Sequence, residues 1–367
     1  MTMQACDDCL RRTVLLAALA ARLDIEWRRR SAPAGVLSLP EEALVALDHT
    51  GAAAARAAAF SARAARERID ASGLRGVCRC SEAYPERLHE LPDPPAVLHV
   101  AGDPVALADA AAVALVGARR GTPYGIEVAR GLGHALSTAG TTVVSGLALG
   151  VDSAAHVGAL RAGGRVVAVL AGGADRPYPA QNRALYRQVV ERGCVVSELP
   201  PGVGPHRWAF VARNRVIAGL AAMTVVVEAT ERSGSLTTAD FAAQVGRAVG
   251  AVPGPVTSRF SAGANTLLAA GAAVVRDAGD VLDVVVGPGA GAAANAAAAA
   301  AVAPAEPLEA HLRRLLRAIE RGRGTPAELA GDADAFGAVL HDLTELELRG
   351  LVRRDFGGRY IRSVSPR

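Results

Sequence analysis

The chain has no lysine: all 40 of its basic side chains, in 367 residues, are arginines. This excludes Schiff-base chemistry on a lysine and the phosphate-binding lysine of a Walker A loop. Every basic contact must come from a rigid guanidinium fork that does not titrate near neutrality. Aromatic residues are scarce too, at 4% against 51% hydrophobic residues, so the core must be mostly Ala, Val and Leu. Cysteines number five (Cys6, Cys9, Cys78, Cys80 and Cys194), an odd count that argues against a disulfide scaffold. Cys6-x-x-Cys9 has zinc-site spacing, but Cys78-x-Cys80 falls short of the roughly two to four intervening residues usual there. The expectation is unpaired thiols and no metal, with Cys194 in an apolar strand. No export signal is convincing, because Asp7 and Asp8 precede a short apolar stretch (13–21) that Arg22 ends. The alanine tract near 290–303 is too weakly hydrophobic to span a bilayer. A soluble, cytoplasmic chain without a membrane partner is expected.

What is present is unevenly placed. The net charge is only +4, but residues 111–286 hold 16 Arg against 11 acids. Residues 1–110 hold 13 against 15, and residues 307–367 hold 11 against 9. The positive excess sits mainly in the middle of the chain, which fits a polyanionic partner.

The first 75 residues read as a small helical domain, with Leu15, Leu16 and Leu19 on one face. A bridge through Tyr84-Pro85 and Pro94-Pro95 leads to a strand at 96–100. From Ala111 apolar strands (112–116, 142–145, 166–170, 194–197, 223–228, 249–252) alternate with helical stretches (124–139, 152–162, 180–191, 211–221, 236–247). Continuous apolar strands between helices predict a parallel sheet covered on both faces. The domain should run over 76–285, followed by an Ala/Gly/Pro linker at 286–306. Residues 307–367 predict a winged helix. Its helical stripes are Leu312, Leu315, Leu316, Ile319 and Phe336, Val339, Leu340, Leu343, Leu346. Between them lies the capping box Thr325-Pro326-Ala327-Glu328, and a hairpin turns at Gly357-Gly358. The third helix is acidic (Asp334, Asp342, Glu345, Glu347 against Arg349), so a protein contact suits it at least as well as a DNA groove.

Right-handed crossovers place all strand-to-helix loops of such a sheet along one edge. Four segments there carry anion-binding chemistry. After the first strand of the repeat, Gly117 allows a sharp turn, and Arg119 and Arg120 follow near a helix start. Ser145 and Gly146 end the next strand, with Asp152 as a helix cap and His156 packed beneath rather than acting as a base. Arg213, Asn214 and Arg215 form a basic loop, flanked by Trp208 and Phe210, which either stack bases or anchor the core. Ser233, Gly234 and Ser235 make a hydroxyl-rich cradle. No Ser–His–Asp elbow or paired metal histidines stand out, so no catalytic residue is assigned.

In order, the segments Val116-Gly117-Ala118-Arg119, Ser145-Gly146-Leu147-Ala148-x-Gly150-Val151-Asp152, Tyr178-Pro179-x-x-Asn182, Arg213-Asn214-Arg215-x-Ile217-Ala218-Gly219 and Ser233-Gly234-Ser235-Leu236-x-Thr238-Ala239 resemble the DNA-processing protein A (DprA, or Smf) family. The likeness runs over about residues 80–285. It implies an extended Rossmann-like domain without a nucleotide cofactor, flanked by accessory domains: a helical one of the SAM or helix-hairpin-helix kind and a winged helix. It also implies single-stranded DNA binding during natural transformation, loading of the RecA recombinase, and a homodimer. By position, Arg119, Arg213 and Arg215 match the family's DNA-contacting arginines. The lysine usual after Tyr-Pro is absent, with Ala180 in its place and Arg176 or Arg183 as the substitute. The alternative is a Rossmann-like nucleotide N-glycosidase, whose catalytic Glu after the glycine loop this chain lacks; a molybdenum-cofactor carrier is a second.

Overall fold

The computed structural model describes residues 5–29, 34–301, 308–331, 335–355 and 357–362. The chain divides into two compact units, Met1–Asn295 and Ala296–Arg367.

The first unit is built on a nine-stranded sheet: β1 (Arg75–Cys78), β2 (Val97–Gly102), β3 (Val113–Val116), β4 (Val143–Ser145), β5 (Val166–Val169), β6 (Cys194–Ser197), β7 (Met223–Val226), β8 (Ala248–Ala251) and β9 (Ala273–Val274). The spatial order is β1-β2-β6-β5-β4-β3-β7-β8-β9. All pairings are parallel except β1–β2 and β2–β6. The strands from β3 to β6 step one way from the centre, and those from β7 to β9 step the other. The winding direction therefore reverses between β3 and β7, where the loops that follow them part and leave a crevice.

The strands are apolar on both sides because both faces are covered. Leu115, Val143, Val166 and Val225 pack with Leu132, Leu136, Ala155, Ala159, Leu185 and Val189 of the helices Pro123–Thr138, Val151–Arg161 and Arg183–Arg192. On the other face Ala114, Val116, Val144 and Val167 meet Val216, Ile217 and Leu220 of helix Arg207–Leu220, with Ala239 of helix Gly234–Gln244. Strands β1 and β9 go beyond the seven strands expected. Each lies at a sheet edge; β9 has only two residues, and neither contains the long Val/Ile run that marks a central strand.

The N-terminal helices share this core rather than standing apart. Cys9 and Leu10 of helix Asp7–Ala18 join the cluster under β2, while Leu15, Leu16, Leu19 and Leu23 pack with Trp208, Ala209 and Ala212. Trp208 is 1% exposed, so it anchors the core and stacks no base. Within the stretch expected as linker, Ala290–Ala301 is a helix, as the helix propensity of alanine favours; residues 302–306 lie outside the described residues. No helix among the described residues is long and apolar enough to cross a membrane.

The second unit has the expected three helices (Ala310–Glu320, Pro326–Ala330, Phe336–Leu348) and a hairpin of β10 (Val352–Arg354) and β11 (Tyr360–Arg362). The capping box forms: the Glu328 N–H donates to Thr325 Oγ1 (3.2 Å), and the Thr325 N–H donates to Glu328 Oε2 (3.0 Å). Leu312, Leu343, Leu346 and Tyr360 fill its core. Asp334 of the acidic helix and Phe356 of the hairpin lie outside the described residues.

Helices Pro123–Thr138 and Val151–Arg161 cross at two glycines. A Cβ at Gly133 would overlap the Ala155 carbonyl, and one at Gly158 would overlap the Arg130 carbonyl. Backbone cannot yield as a side chain can, so Gly158→Ala must push the helices apart. We expect a loss of about 1–3 kcal/mol in urea unfolding, with Gly131→Ala, where a Cβ meets nothing within 4 Å, as the control. Unchanged stability of Gly158→Ala would contradict the close crossing.

Candidate functional site

The loops after β3, β4, β5 and β7 meet at the carboxyl edge of the sheet, each braced by a side chain from another. Glu228, just past β7 and 2% exposed, accepts from the Thr122 N–H (2.8 Å) and Thr122 Oγ1 (2.5 Å). This ties the two loops that diverge at the reversal of winding. Gly117 lies flat on the start of helix Val151–Arg161; a Cβ there would be 2.8 Å from Val151 Cγ2 and 2.9 Å from the Glu228 carbonyl oxygen. Gly150 has φ +82° and sits against the Ala118 carbonyl, a conformation and a contact that both require glycine. Asn182 Nδ2 donates to the Leu147 carbonyl and to Ser153 Oγ, each at 2.8 Å. It thereby holds the buried Leu147 at φ +54°, a left-handed conformation costing about 1–2 kcal/mol.

Arg119 and Arg120 are exposed on this rim. The Arg119 guanidinium lies 5.2 Å over the ring of half-buried Phe210, and that ring meets exposed Tyr178 at 5.5 Å. Arg213 stacks on Gly146, where any Cβ would overlap its guanidinium. Its Nη1 donates to the Val169 carbonyl (2.8 Å) and its Nε to Asn214 Oδ1 (3.0 Å). Burial lowers the Arg213 pKa; Asp152 opposes that shift and nearby Arg119 adds to it. Arg176 and Arg183, both exposed, flank Ala180 on the segment leaving β5. At the β7 loop Gly234 is exposed, and Ser233 caps its own helix, its hydroxyl accepting from the Ser235 N–H (3.4 Å) and lying 2.8 Å from Ser235 Oγ.

Several expected contacts are corrected. Arg213, Asn214 and Arg215 are no loop: they lie inside helix Arg207–Leu220, which starts four residues before the periodic stretch suggested. Positions two apart on a helix point to opposite sides, so the two arginines diverge. Arg215 is 1% exposed and is gripped by Glu198 (2.8 and 3.0 Å) and Asp93 (2.9 Å). Burial opposes its charge, but Glu198 and Asp93 outweigh that and keep it ionised; it cannot reach a phosphate. Asn214 is buried and donates to the Gly234 carbonyl (3.0 Å) and Thr237 Oγ1 (2.7 Å), bracing the cradle rather than touching a ligand. Ser145 is fully buried, its hydroxyl spent on the Leu115 carbonyl (2.6 Å). The Gly146 N–H donates to Asp152 Oδ2 (3.1 Å), so this amide is also taken. Asp152 itself is not the cap; Gly150 is, and the carboxylate reaches back to the loop. His156 is buried, as expected, and desolvation drops its pKa to about 3.

Tyr178, Asn182, Thr122 and Glu228 also belong to this edge, though the sequence patterns assigned them no place there. Tyr178 and Asn182 stood in the Tyr-Pro-x-x-Asn segment, which was a usable signal. The pairing of Glu228 with Thr122, 106 residues apart in the chain, had none.

A doubly wound, largely parallel sheet with exposed arginines beside its switch point defines a Rossmann-like fold. The sequence model of DNA recombination-mediator protein A matches residues 75–286, more than half of the chain, and the chain belongs to that family. It is 44% identical over 257 residues to a putative DNA processing protein DprA of Mycobacterium tuberculosis, covering 69% of this chain and 65% of that protein. The chain thus spans just under two thirds of the length of that relative. It is 37% identical over 211 residues to DprA of Bacillus subtilis, covering 58% of this chain and 71% of that one. Among solved structures, DNA processing protein A of Streptococcus pneumoniae superposes with a TM-score of 0.61 at 29% identity, covering 75% of this chain and 95% of that one. The Helicobacter pylori protein, solved for its single-stranded DNA binding mode, gives 0.52 at 28% identity, covering 56% of this chain and 94% of that one.

Two predictions follow from burial. Arg215→Ala strands Glu198 and Asp93 without their partner and should cost about 3–5 kcal/mol of stability, whereas Arg119→Ala should stay within about 0.5 kcal/mol. Urea titrations of the two variants check this, and equal stabilities would refute the internal role of Arg215. The second concerns acid. Burial lowers His99 and His156 from the ordinary 6.5 to about 3. Depressed values mean that the unfolded chain binds protons the native one refuses, so stability is whole above pH 6.5 and declines below it. Between about pH 7 and pH 5 the loss should be roughly 2 kcal/mol per histidine. A His156→Asn variant, even if less stable at neutrality, should show a shallower decline; an identical slope would remove His156 from the account.

Proposed function

We propose that the chain is a single-stranded DNA-binding protein that protects incoming DNA and loads the RecA recombinase in natural transformation and recombination. It would act in the cytoplasm as a homodimer and without catalytic turnover. The carrying observation is the arginine–aromatic rim. Arg119 lies over Phe210, beside exposed Tyr178, and close enough to Arg213 to lower its pKa. Two neighbouring cations repel, and a phosphate between them would relieve that repulsion. Arg119 and Arg120 would hold phosphates. Arg213, with Nε and Nη1 committed internally, would offer Nη2. Gly234 and the Ser233–Ser235 pair would supply further donors at a helix start, and Tyr178 would stack a base. Family membership and the single-stranded DNA binding of the H. pylori relative support the same reading. The N-glycosidase alternative gains nothing here, because the buried acid that ends the β7 segment, Glu228, is committed to Thr122. We further propose that the second unit is a winged helix whose acidic third helix faces a protein rather than duplex DNA.

Binding should weaken as salt rises, since counterion release is the main driving term. The test is a titration of oligo-dT, and of a duplex of equal length, across a salt series, with and without RecA. Arg119→Ala should weaken single-strand binding at all sequences alike and flatten the salt slope by about 0.7, one phosphate contact's share. An unchanged slope would remove Arg119 from the interface, and no binding of oligo-dT in dilute buffer would overturn the proposal.

A further inference from the structure

Four of the five cysteines converge although they come from segments about 70 residues apart. Cys6 caps the start of helix Asp7–Ala18, and Cys9 lies in its first turn. Cys78 ends β1, and Cys80 sits in the turn that follows. All four sulfurs lie within 4.8 Å of one another. Cys9 Sγ and Cys80 Sγ are 3.8 Å apart, and the Cys6 N–H donates to Cys78 Sγ (3.4 Å). A zinc ion bound by thiolates at about 2.3 Å sets the edge of its sulfur tetrahedron near 3.8 Å. A disulfide would need about 2.05 Å, and these thiols are unpaired. The N–H···S contact is of the kind that supports a metal-bound thiolate. The spacing that argued against a metal was that of Cys78-x-Cys80. The extended backbone at the end of β1 followed by a turn brings the two sulfurs to one side, so the shorter interval suffices.

We propose that Cys6, Cys9, Cys78 and Cys80 bind one zinc ion as a closed tetrathiolate site that fastens the N-terminal helix to the edge strand of the sheet. Soft sulfur ligands in a tetrahedral arrangement select zinc among divalent ions. With all four positions filled by protein there is no open position for water, so the ion is structural. The site lies on the same sheet edge as the arginine rim, but β1 is five strands from β3, about 24 Å away. Metal binding is thus separable from DNA binding.

The test uses the full chain produced with zinc in the medium. Elemental analysis after gel filtration should give about one zinc per chain. Cobalt substitution should give the intense visible bands of a tetrahedral thiolate site. Cys80→Ser changes an exposed residue and should fold while losing most of the metal. Cys9→Ser should lose it too, and Cys194→Ser, which changes a buried β6 residue, should keep it. A strong chelator should lower the thermal midpoint of the wild type and leave that of Cys80→Ser unmoved. Several results would overturn the site: wild-type protein without zinc, full zinc retained by Cys80→Ser, an iron tetrathiolate spectrum, or an intact mass short of the hydrogens lost to disulfides.

Discussion

The helix Arg207–Leu220 crosses the sheet carrying two arginines two positions apart, and the angle between them organises the site. Two residues along an α-helix rotate a side chain by about 200°. One guanidinium must therefore face the interior if the other is to face the loops. Arg215 goes inward to Glu198 and Asp93, which fixes the rotation of the helix about its axis. Arg213 is thereby set over Gly146, and Asn214, between them, reaches the β7 loop. A buried ion pair of this kind adds little net stability, since desolvation offsets much of its Coulomb energy. What it supplies here is orientation: rotating the helix by even one residue would bury Asn214 among carboxylates and withdraw Arg213 from the rim.

The N-terminal segment acts on the same helix. Its N-cap residue, His206, makes no side-chain cap. Asp24 serves instead, accepting from the Trp208 N–H at 2.7 Å, with its negative charge at the positive end of the helix dipole. Trp208 is sunk among Leu15, Leu16, Leu19 and Leu23, and Thr13 Oγ1 donates to the Glu198 carbonyl. The helical segment is therefore part of the support for the arginine helix. This accounts for its sharing one compact unit with the sheet.

Much of the fold was legible because continuous apolar strands alternating with amphipathic helices admit few arrangements. The six central strands lie where the Val-rich runs placed them, and the arginine rim lies on the edge that right-handed crossovers dictate. Charge patterning misled at Arg213-Asn214-Arg215, where three polar residues in a row look like a loop. They are helical because Trp208, Ala209, Ala212, Val216 and Ile217 keep helical spacing around them. Ser145 illustrates a different limit. A hydroxyl at a strand end looks ready for a ligand, and only coordinates show that the neighbouring Leu115 carbonyl has claimed it. The cysteine cluster and the Glu228–Thr122 clasp depend on long-range proximity that no local pattern encodes.

Few groups on the rim remain uncommitted, and this restriction bears on how it binds. Glu228 and Asn182 spend polar atoms fastening one loop to another, Asp152 holds the loop before its own helix, and Asn214 ties its helix to the β7 loop. The backbone of the crevice is thus ordered before any ligand arrives, and the entropic cost of arranging it upon binding is largely removed. The groups left outside are arginines, small hydroxyls and the exposed rings of Tyr124 and Tyr178. None of these reads base edges in a fixed pattern, whereas all of them serve phosphates or the faces of unpaired bases. A rigid scaffold presenting chemically undiscriminating contacts suits a ligand that varies in sequence but repeats in backbone. It suits poorly a single metabolite, which would call for a closed pocket lined by groups matched to its own functional atoms.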